Sequence, residues 1–102
     1  MSKIFVVVRN DLSKSQQAVQ AGHALVEYMM GVRRPWYYEN CTLVYLRARN
    51  ERELLAIVGM LSDYCDYPIT NFHEPDLNDE MTAIAIDGNE RTEELLEDIP
   101  LL

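Results

Sequence analysis

Residues 16–30 separate polar from apolar side chains on two sides of a helix, and this pattern constrains the fold more than any other in the chain. At about 100° per residue, an apolar arc is formed by Ala18, Ala21, Gly22, Leu25, Val26 and Met29, with Val19 and Met30 at its margin. A polar stripe beside it is formed by Gln16, Gln20, His23 and Glu27. Because small residues allow close approach, we expect the helix to pack on a sheet through Ala18, Ala21, Gly22 and Leu25.

A continuous run of apolar residues precedes this helix. Residues 4–8 are mostly β-branched, which predicts a central strand that is buried on both faces. Arg9 to Leu12 follow as a turn, and Ser13 with Gln16 three positions later forms the pattern of a capping box. Gly31 is the expected end of the helix.

The rest of the chain continues this alternation. Strands are predicted at 42–46, 69–72 and 81–86, and helices after Asn50 and after Asn89. In the last strand, Thr82 and Ile84 are expected to share one face. The order βαβαββα predicts an α/β fold, a single domain over residues 1–102 with a four-stranded mixed β-sheet flanked by helices.

Composition limits the classes of function. The chain has 102 residues, with 17 acidic against 9 basic side chains and a net charge of −8, which disfavours nucleic acid unless basic residues cluster. Cys41 and Cys65 form no CxxC pair, and the apolar run at the N-terminus is too short for a signal peptide or a membrane span. We therefore expect a cytoplasmic protein without membrane association, either a monomer or a homodimer.

Four polar residues are candidates for chemistry. His23 suits a general base or a substrate contact, or it is a surface histidine that bonds a neighbour. Gln16 either contacts a ligand or caps Ser13. Lys14, on the first helical turn, suits a phosphate or an oxyanion, or it is solvated. Glu74 precedes Pro75 at a strand end, where its carboxylate suits orienting a histidine or a water.

Two charged segments point to ligands less directly. The acidic segment 74–80 lacks the spacing and the central glycine of a calcium loop, so no metal site is predicted. Arg33, Arg34 and Trp36 combine charge with an aromatic face, which suits phosphates and unpaired bases, unless the aromatic residues pack on the core. A second basic group is Arg47, Arg49 and Arg52.

Three segments resemble the type II peptidyl-tRNA hydrolases. They are the valine-rich strand with the turn Val8-Arg9-Asn10-Asp11-Leu12, the helix segment Gln20-Ala21-Gly22-His23-Ala24, and the late strand 81–86 that begins Met-Thr-Ala. The family has a Val-Arg-x-Asp-Leu turn, a helical Gln-x-x-His-Ala and a late strand that opens on threonine. The resemblance implies a small α/β domain around a four-stranded mixed sheet.

The resemblance also implies a reaction, which is hydrolysis of the ester between a peptide and the 3′ ribose of tRNA without a metal or an organic cofactor. The catalytic positions carried over are His23, Gln20, Glu74 and Thr82, with Lys14 as the candidate cation. Substrate contacts are expected from Asn10, Asp11, Gln16, Arg33, Arg34 and Trp36. The expected partner is peptidyl-tRNA or the 3′ end of tRNA.

The chain departs from the family pattern in two places. Gln16 stands where the family has a lysine, and Glu74-Pro75-Asp76 replaces an Asp-Ala-Gly turn. These changes favour an alternative from another class: a non-catalytic binding module on the same fold, which recognises an RNA end, a nucleotide or a protein partner.

Overall fold

A computed structural model describes residues 3–31, 41–64 and 68–102. Strand β1 (Lys3–Arg9) lies at the centre, parallel to β2 (Thr42–Ala48) and antiparallel to β4 (Glu80–Gly88). Strand β3 (Ile69–Glu74) pairs antiparallel with β4, so the sheet order is β2-β1-β4-β3. The protein is therefore a small single α/β domain with a four-stranded mixed sheet, as predicted.

Within the described residues, the sheet is accompanied by helices α1 (Lys14–Met30), α2 (Glu51–Tyr64) and α3 (Glu90–Leu96). Each begins after a predicted cap. The side-chain oxygens of Ser13, Asn50 and Asn89 accept hydrogen bonds from backbone N–H groups at 3.2 Å, 2.9 Å and 2.9 Å respectively. These bonds satisfy donors that a helix start leaves unpaired, which is why the sequence marks the helix starts so well.

Two cores lie on opposite faces of the sheet. The core beneath α2 and α3 contains Phe5, Val7, Leu46, Ala48, Leu54, Ile57, Leu61, Met81, Ile84, Ile86 and Leu96. The core beneath α1 contains Ile4, Val6, Val8, Ala21, Ala24, Tyr28, Ala83 and Ala85. The residues of β1 alternate between the two cores, which confirms that this strand is buried on both faces.

The predicted apolar arc of α1 faces the sheet only in part. The buried residues of α1 are Gln20, Ala21, Ala24 and Tyr28, whereas Ala18 is exposed and Val26 is 61% exposed. The prediction was right for Ala21, Leu25 and Met29, which lie in or against the core beneath α1. It was wrong for Ala18 and Val26. It failed because Gln20 and Tyr28 bury polar atoms that have hydrogen-bond partners, Tyr28 donating to Asp87, and a hydrophobicity pattern does not foresee such partners.

Strand β4 also departs from the predicted alternation. Its pairing with β3 passes from Phe72↔Ala83 to His73↔Met81, so Thr82 is an extra residue at a β-bulge. A bulge changes the facing of the residues after it. Thr82 consequently reaches α1, whereas Ile84 lies in the other core, and the prediction that they share a face was wrong.

The C-terminal residues protect the free edge of β2. Leu101 forms an antiparallel bridge with Leu46, and the N–H of Arg47 donates to the carbonyl of Pro100 at 3.0 Å. This pairing covers an edge that would otherwise expose unpaired backbone groups. No helix among the described residues has the length and apolar character needed to cross a membrane.

Candidate functional site

The candidate site is built on three elements that meet near one edge of the sheet. Gln20 lies in the second turn of α1, Glu74 is the last residue of β3, and Thr82 stands at the bulge near the start of β4. Because β4 runs antiparallel to both of its neighbours, its start lies beside the carboxyl ends of β1 and β3. The topology thereby gathers residues that are far apart in sequence.

Gln20 joins the other two residues through its carboxamide. Its Nε2 donates to Glu74 Oε1 at 2.8 Å and to Gln16 Oε1 at 3.2 Å, while its Oε1 accepts from the hydroxyl of Thr82 at 2.7 Å. An ionised carboxylate only accepts, so the bond to Glu74 fixes which end of the amide faces it. Gln20 is fully buried, and its hydrogen bonds offset the cost of burying it. We refer to Gln16, Gln20, Glu74 and Thr82 as the glutamine network.

Glu74 keeps one carboxylate oxygen available. Oε1 is bound to Gln20, and Oε2 has no hydrogen bond to any other described residue. The residue is partly exposed, in contrast to Gln20 and Thr82. It is therefore a carboxylate that can hold a water molecule or a ligand donor while its orientation stays fixed.

His23 lies one turn beyond Gln20 on α1. Its ring stacks on Phe72 with 4.5 Å between centroids and 3° between planes. Phe72 lies two residues before Glu74 on β3, so the two contacts join the same pair of elements and place His23 beside the glutamine network. The histidine is exposed, and neither ring nitrogen bonds another described residue. Among the described residues, His23 therefore contacts a neighbour by stacking and not, as the alternative interpretation expected, by a hydrogen bond.

Arg9 supports the bulge from the other side and was not among the predicted site residues. Its guanidinium donates to both carboxylate oxygens of Asp11 at 3.0 Å and 2.9 Å, to Glu80 Oε1 at 2.7 Å, and to the carbonyl of Met81 at 3.3 Å. The N–H of Met81 donates to Glu51 at 2.8 Å. Side chains thus hold both backbone groups of the residue before Thr82. An arginine that closes an apolar run, with an acid two positions later, was the available signal.

The same contacts keep Asp11 and Arg9 charged. Its hydrogen bonds to Arg9 hold the pKa of the carboxyl below its ordinary value, and the pKa of Arg9 is raised chiefly by the bond to Asp11. Both groups therefore stay charged at neutral pH. Asp11 forms an ion pair with Arg9, and its contact with substrate stays a prediction.

Other predicted site residues lie outside the glutamine network. Lys14 is exposed at the first position of α1 and has no bond to another described residue. Asn10 uses its backbone to bond Ala48 and Gln17, and its side chain lines a separate cleft. Gln16 does belong to the network, although its amide does not cap Ser13 as the alternative interpretation expected. Arg33, Arg34 and Trp36 lie outside the described residues.

The described residues form no metal centre. Among residues 3–31, 41–64 and 68–102, no group of three or more His, Cys, Asp or Glu side chains is arranged to hold an ion. In the acidic segment, Glu80 pairs with Arg9 and Glu74 bonds Gln20. These two carboxylates therefore serve separate contacts.

Comparisons with known proteins support the fold. No protein-family profile matches the chain, and no curated protein matches it. Among solved structures, the chain is similar to a protein of unknown function from Agrobacterium tumefaciens, with a TM-score of 0.75 and 12% sequence identity over 99% of this chain and 97% of the other. At that identity, the likeness shows a shared fold alone.

Proposed function

We propose that the protein hydrolyses the ester between an acyl or peptidyl group and the 3′ ribose of tRNA, as the type II peptidyl-tRNA hydrolases it resembles do. The observation that carries the proposal is the glutamine network. Gln20, Glu74 and Thr82, which the resemblance selects from three separate elements, are joined by hydrogen bonds of 2.8 Å and 2.7 Å. His23, the fourth selected residue, lies beside them.

The chemistry of ester hydrolysis suggests roles for Glu74, His23 and Lys14. The reaction needs a positioned water, stabilisation of the oxyanion and a proton for the leaving ribose oxygen. Glu74 Oε2 accepts a proton from the water while Gln20 fixes the carboxylate. His23 supplies the proton to the leaving oxygen. Lys14 and the free N–H groups at the start of α1 offer positive charge to the oxyanion.

The direct test is release of tRNA from N-acetyl-aminoacyl-tRNA by the purified protein. Glu74→Gln keeps an acceptor for Gln20 but removes the base, so we expect kcat to fall roughly a hundredfold or more. His23→Ala should lower kcat on a similar scale. His73→Ala is the matched control, because His73 is exposed and bonds only the carbonyl of Asp79 in the described structure, and it should leave kcat unchanged.

A second candidate function is a non-catalytic module that binds the same RNA end. One observation favours it: Gln16 stands in place of the family lysine, so the position carries no charge, and its carboxamide oxygen is bound by Gln20. This candidate predicts binding of the blocked tRNA without turnover, and affinity that falls steeply with salt if Arg33 and Arg34 contact phosphates. Turnover by the wild type that exceeds His23→Ala would exclude it. Equal rates of release by the two proteins would exclude the hydrolase.

A further inference from the structure

A cleft of about 590 Å³ opens at the carboxyl ends of the parallel strands β1 and β2. It is lined by Asn10, Arg47, Arg49, Glu53, Asp98, Ile99 and Pro100, none of which belongs to the glutamine network. Ligands of α/β sheets commonly bind beyond the carboxyl ends of parallel strands, and pockets of roughly 300–1,000 Å³ suit small organic molecules. Position and size both make this cleft a candidate binding site.

Arg49 is held in place on one wall of the cleft. Its Nε donates to Glu53 Oε2 at 2.7 Å, and its backbone N–H donates to Glu53 Oε1 at 3.1 Å. These bonds lower the pKa of the Glu53 carboxyl, so the pair is charged at neutral pH. The two Nη groups of Arg49 bond no other described residue. A guanidinium that is oriented through Nε and free at both Nη groups is suited to bind two oxygens of one anion.

Two further donors line the same cleft. The backbone N–H of Arg47 is bound to the carbonyl of Pro100, which fixes the strand, while its guanidinium has no partner among the described residues. The backbone of Asn10 is bound to Ala48 and Gln17, and its carboxamide is likewise without a partner in the described chain. The backbone is thus fixed at both positions, and the guanidinium of Arg47 and the carboxamide of Asn10 are left to bind a ligand in the cleft.

Asp98 gives the cleft a second chemical character. Its carboxylate has no partner among the described residues, and with Glu53 it balances the charges of Arg47 and Arg49. A bare anion would meet repulsion from Asp98. A ligand that carries an anionic group at one end and hydroxyl donors at the other satisfies both arginines and the carboxylate, because carboxylates accept hydrogen bonds from ribose hydroxyls.

We propose that this cleft binds a nucleoside monophosphate unit, with the phosphate on Arg47 and Arg49 and the ribose hydroxyls on Asp98. The unit comes from a free nucleotide or from the end of an RNA strand, which share this chemistry. The proposal does not rest on the hydrolase activity, because it uses none of the residues of the glutamine network.

Calorimetric titration of the whole protein with cytidine 5′-monophosphate tests the proposal. Arg47→Gln and Arg49→Gln should each weaken binding roughly tenfold to a hundredfold, the expected loss of charge-assisted hydrogen bonds. Arg52→Gln is the matched control, since Arg52 is an exposed arginine of α2 that does not line the cleft, and it should leave the affinity unchanged. Cytidine, which lacks the phosphate, should bind at least tenfold more weakly than the nucleotide.

Asp98→Asn separates the two ends of the ligand. It should weaken binding of the nucleotide, because a hydroxyl acceptor loses its charge, and strengthen binding of inorganic phosphate, because a repulsive charge is removed. A trinucleotide that binds more tightly than the mononucleotide identifies an RNA end as the source of the unit. Equal affinities identify a free nucleotide.

The proposal is overturned by any of three results. One is no saturable binding of the nucleotide up to roughly 10 mM, the range of very weak sites. Another is an equal loss of affinity in Arg52→Gln and Arg49→Gln. The third is unchanged nucleotide affinity in Arg47→Gln and Arg49→Gln when both variants keep the thermal midpoint of the wild type. Each substituted arginine side chain is exposed, so folding is expected to survive.

Discussion

The two sides of the sheet differ in what they bury. The side under α2 and α3 buries mostly apolar side chains, several of them large, such as Leu54, Ile57 and Leu61, although Thr92 of α3 is also buried. The side under α1 buries small residues, including Ala21 and Ala24, and also the polar residues Gln20 and Thr82. Small neighbours leave room for an amide and a hydroxyl in a buried place. The α2 side thus serves stability, and the α1 side gives up apolar contact to hold polar groups in fixed positions.

The largest effect is expected on the α2 side. Leu54 is fully buried in that core, so Leu54→Ala removes apolar contact and leaves a cavity, at a cost of about 2–5 kcal/mol in the free energy of unfolding. Leu55→Ala on the same helix is the control, because Leu55 is 47% exposed, and it should cost less than about 1 kcal/mol. Urea denaturation measures both. Similar losses in the two variants would contradict the assignment of the core to this side.

Intermediate effects are expected for the glutamine network. Gln20→Met leaves the hydroxyl of Thr82 buried without its partner at 2.7 Å, and we expect a loss of about 1–3 kcal/mol in the free energy of unfolding. Thr82→Val should lower the free energy of unfolding by a similar amount, because it leaves Gln20 Oε1 without its donor. The double variant should lose clearly less than the sum of the two, because neither partner is then left unsatisfied.

Additive losses in that double-mutant cycle would mean that Gln20 and Thr82 do not depend on each other. A second double variant combines substitutions from the two sides of the sheet. Leu54→Ala combined with Gln20→Met should be additive, because the two residues lie in cores on opposite faces of the sheet.

Local sequence signals predicted the elements well. The three helix starts follow from Ser13, Asn50 and Asn89, whose side chains bond the first turns, and the central position of β1 follows from its unbroken apolar run. Such signals depend on neighbours in the chain. The last helix ends at Leu96, whose carbonyl accepts from the N–H of Ile99 in the turn before Pro100.

Tertiary features were harder to predict. The grouping of Gln20, Glu74 and Thr82 came from the family resemblance and not from periodicity, because 54 and 62 residues separate the bonded partners in sequence. The bulge at Thr82 depends on Arg9 and Glu51, which hold Met81 from distant parts of the chain. The orientation of α1 on the sheet depends on the buried hydrogen bonds of Gln20 and Tyr28.

A smaller effect, of opposite sign, is expected at Gly22, which was predicted to pack on the sheet. A Cβ at this position meets nothing within 4 Å, so, contrary to the prediction, Gly22 does not pack closely against the sheet. Gly22→Ala should stabilise the protein by about 0.5–1 kcal/mol, since alanine is a better helix former than glycine. Gly88→Ala is the contrast, because its Cβ would lie 2.7 Å from side-chain atoms of Lys3 and Phe5, and it should be destabilising. A destabilised Gly22→Ala would show that this face of α1 is covered after all.

The smallest effect is expected from the ion pair that supports the bulge. The pKa of Asp11 is lowered by its hydrogen bonds to Arg9, whereas a free aspartate titrates near pH 3.9. A carboxyl whose pKa is lower in the folded state stabilises the protein above the unfolded pKa, and that contribution is lost as the pH falls through the folded pKa. Arg9 stays protonated throughout, because its pKa is raised. The side chain of Asp11 is 37% exposed and therefore screened by solvent, so we expect the ion pair to contribute less than about 1 kcal/mol to the free energy of unfolding.

Wild type should exceed Asp11→Asn in free energy of unfolding at pH 7, and the difference between them should close below about pH 4. Asp76→Asn is the control, because Asp76 is an exposed acid without a partner among the described residues, and it should differ less from wild type at pH 7. A gap for Asp11→Asn that stays constant down to pH 2 would mean that the bond to Arg9 does not link folding to protonation.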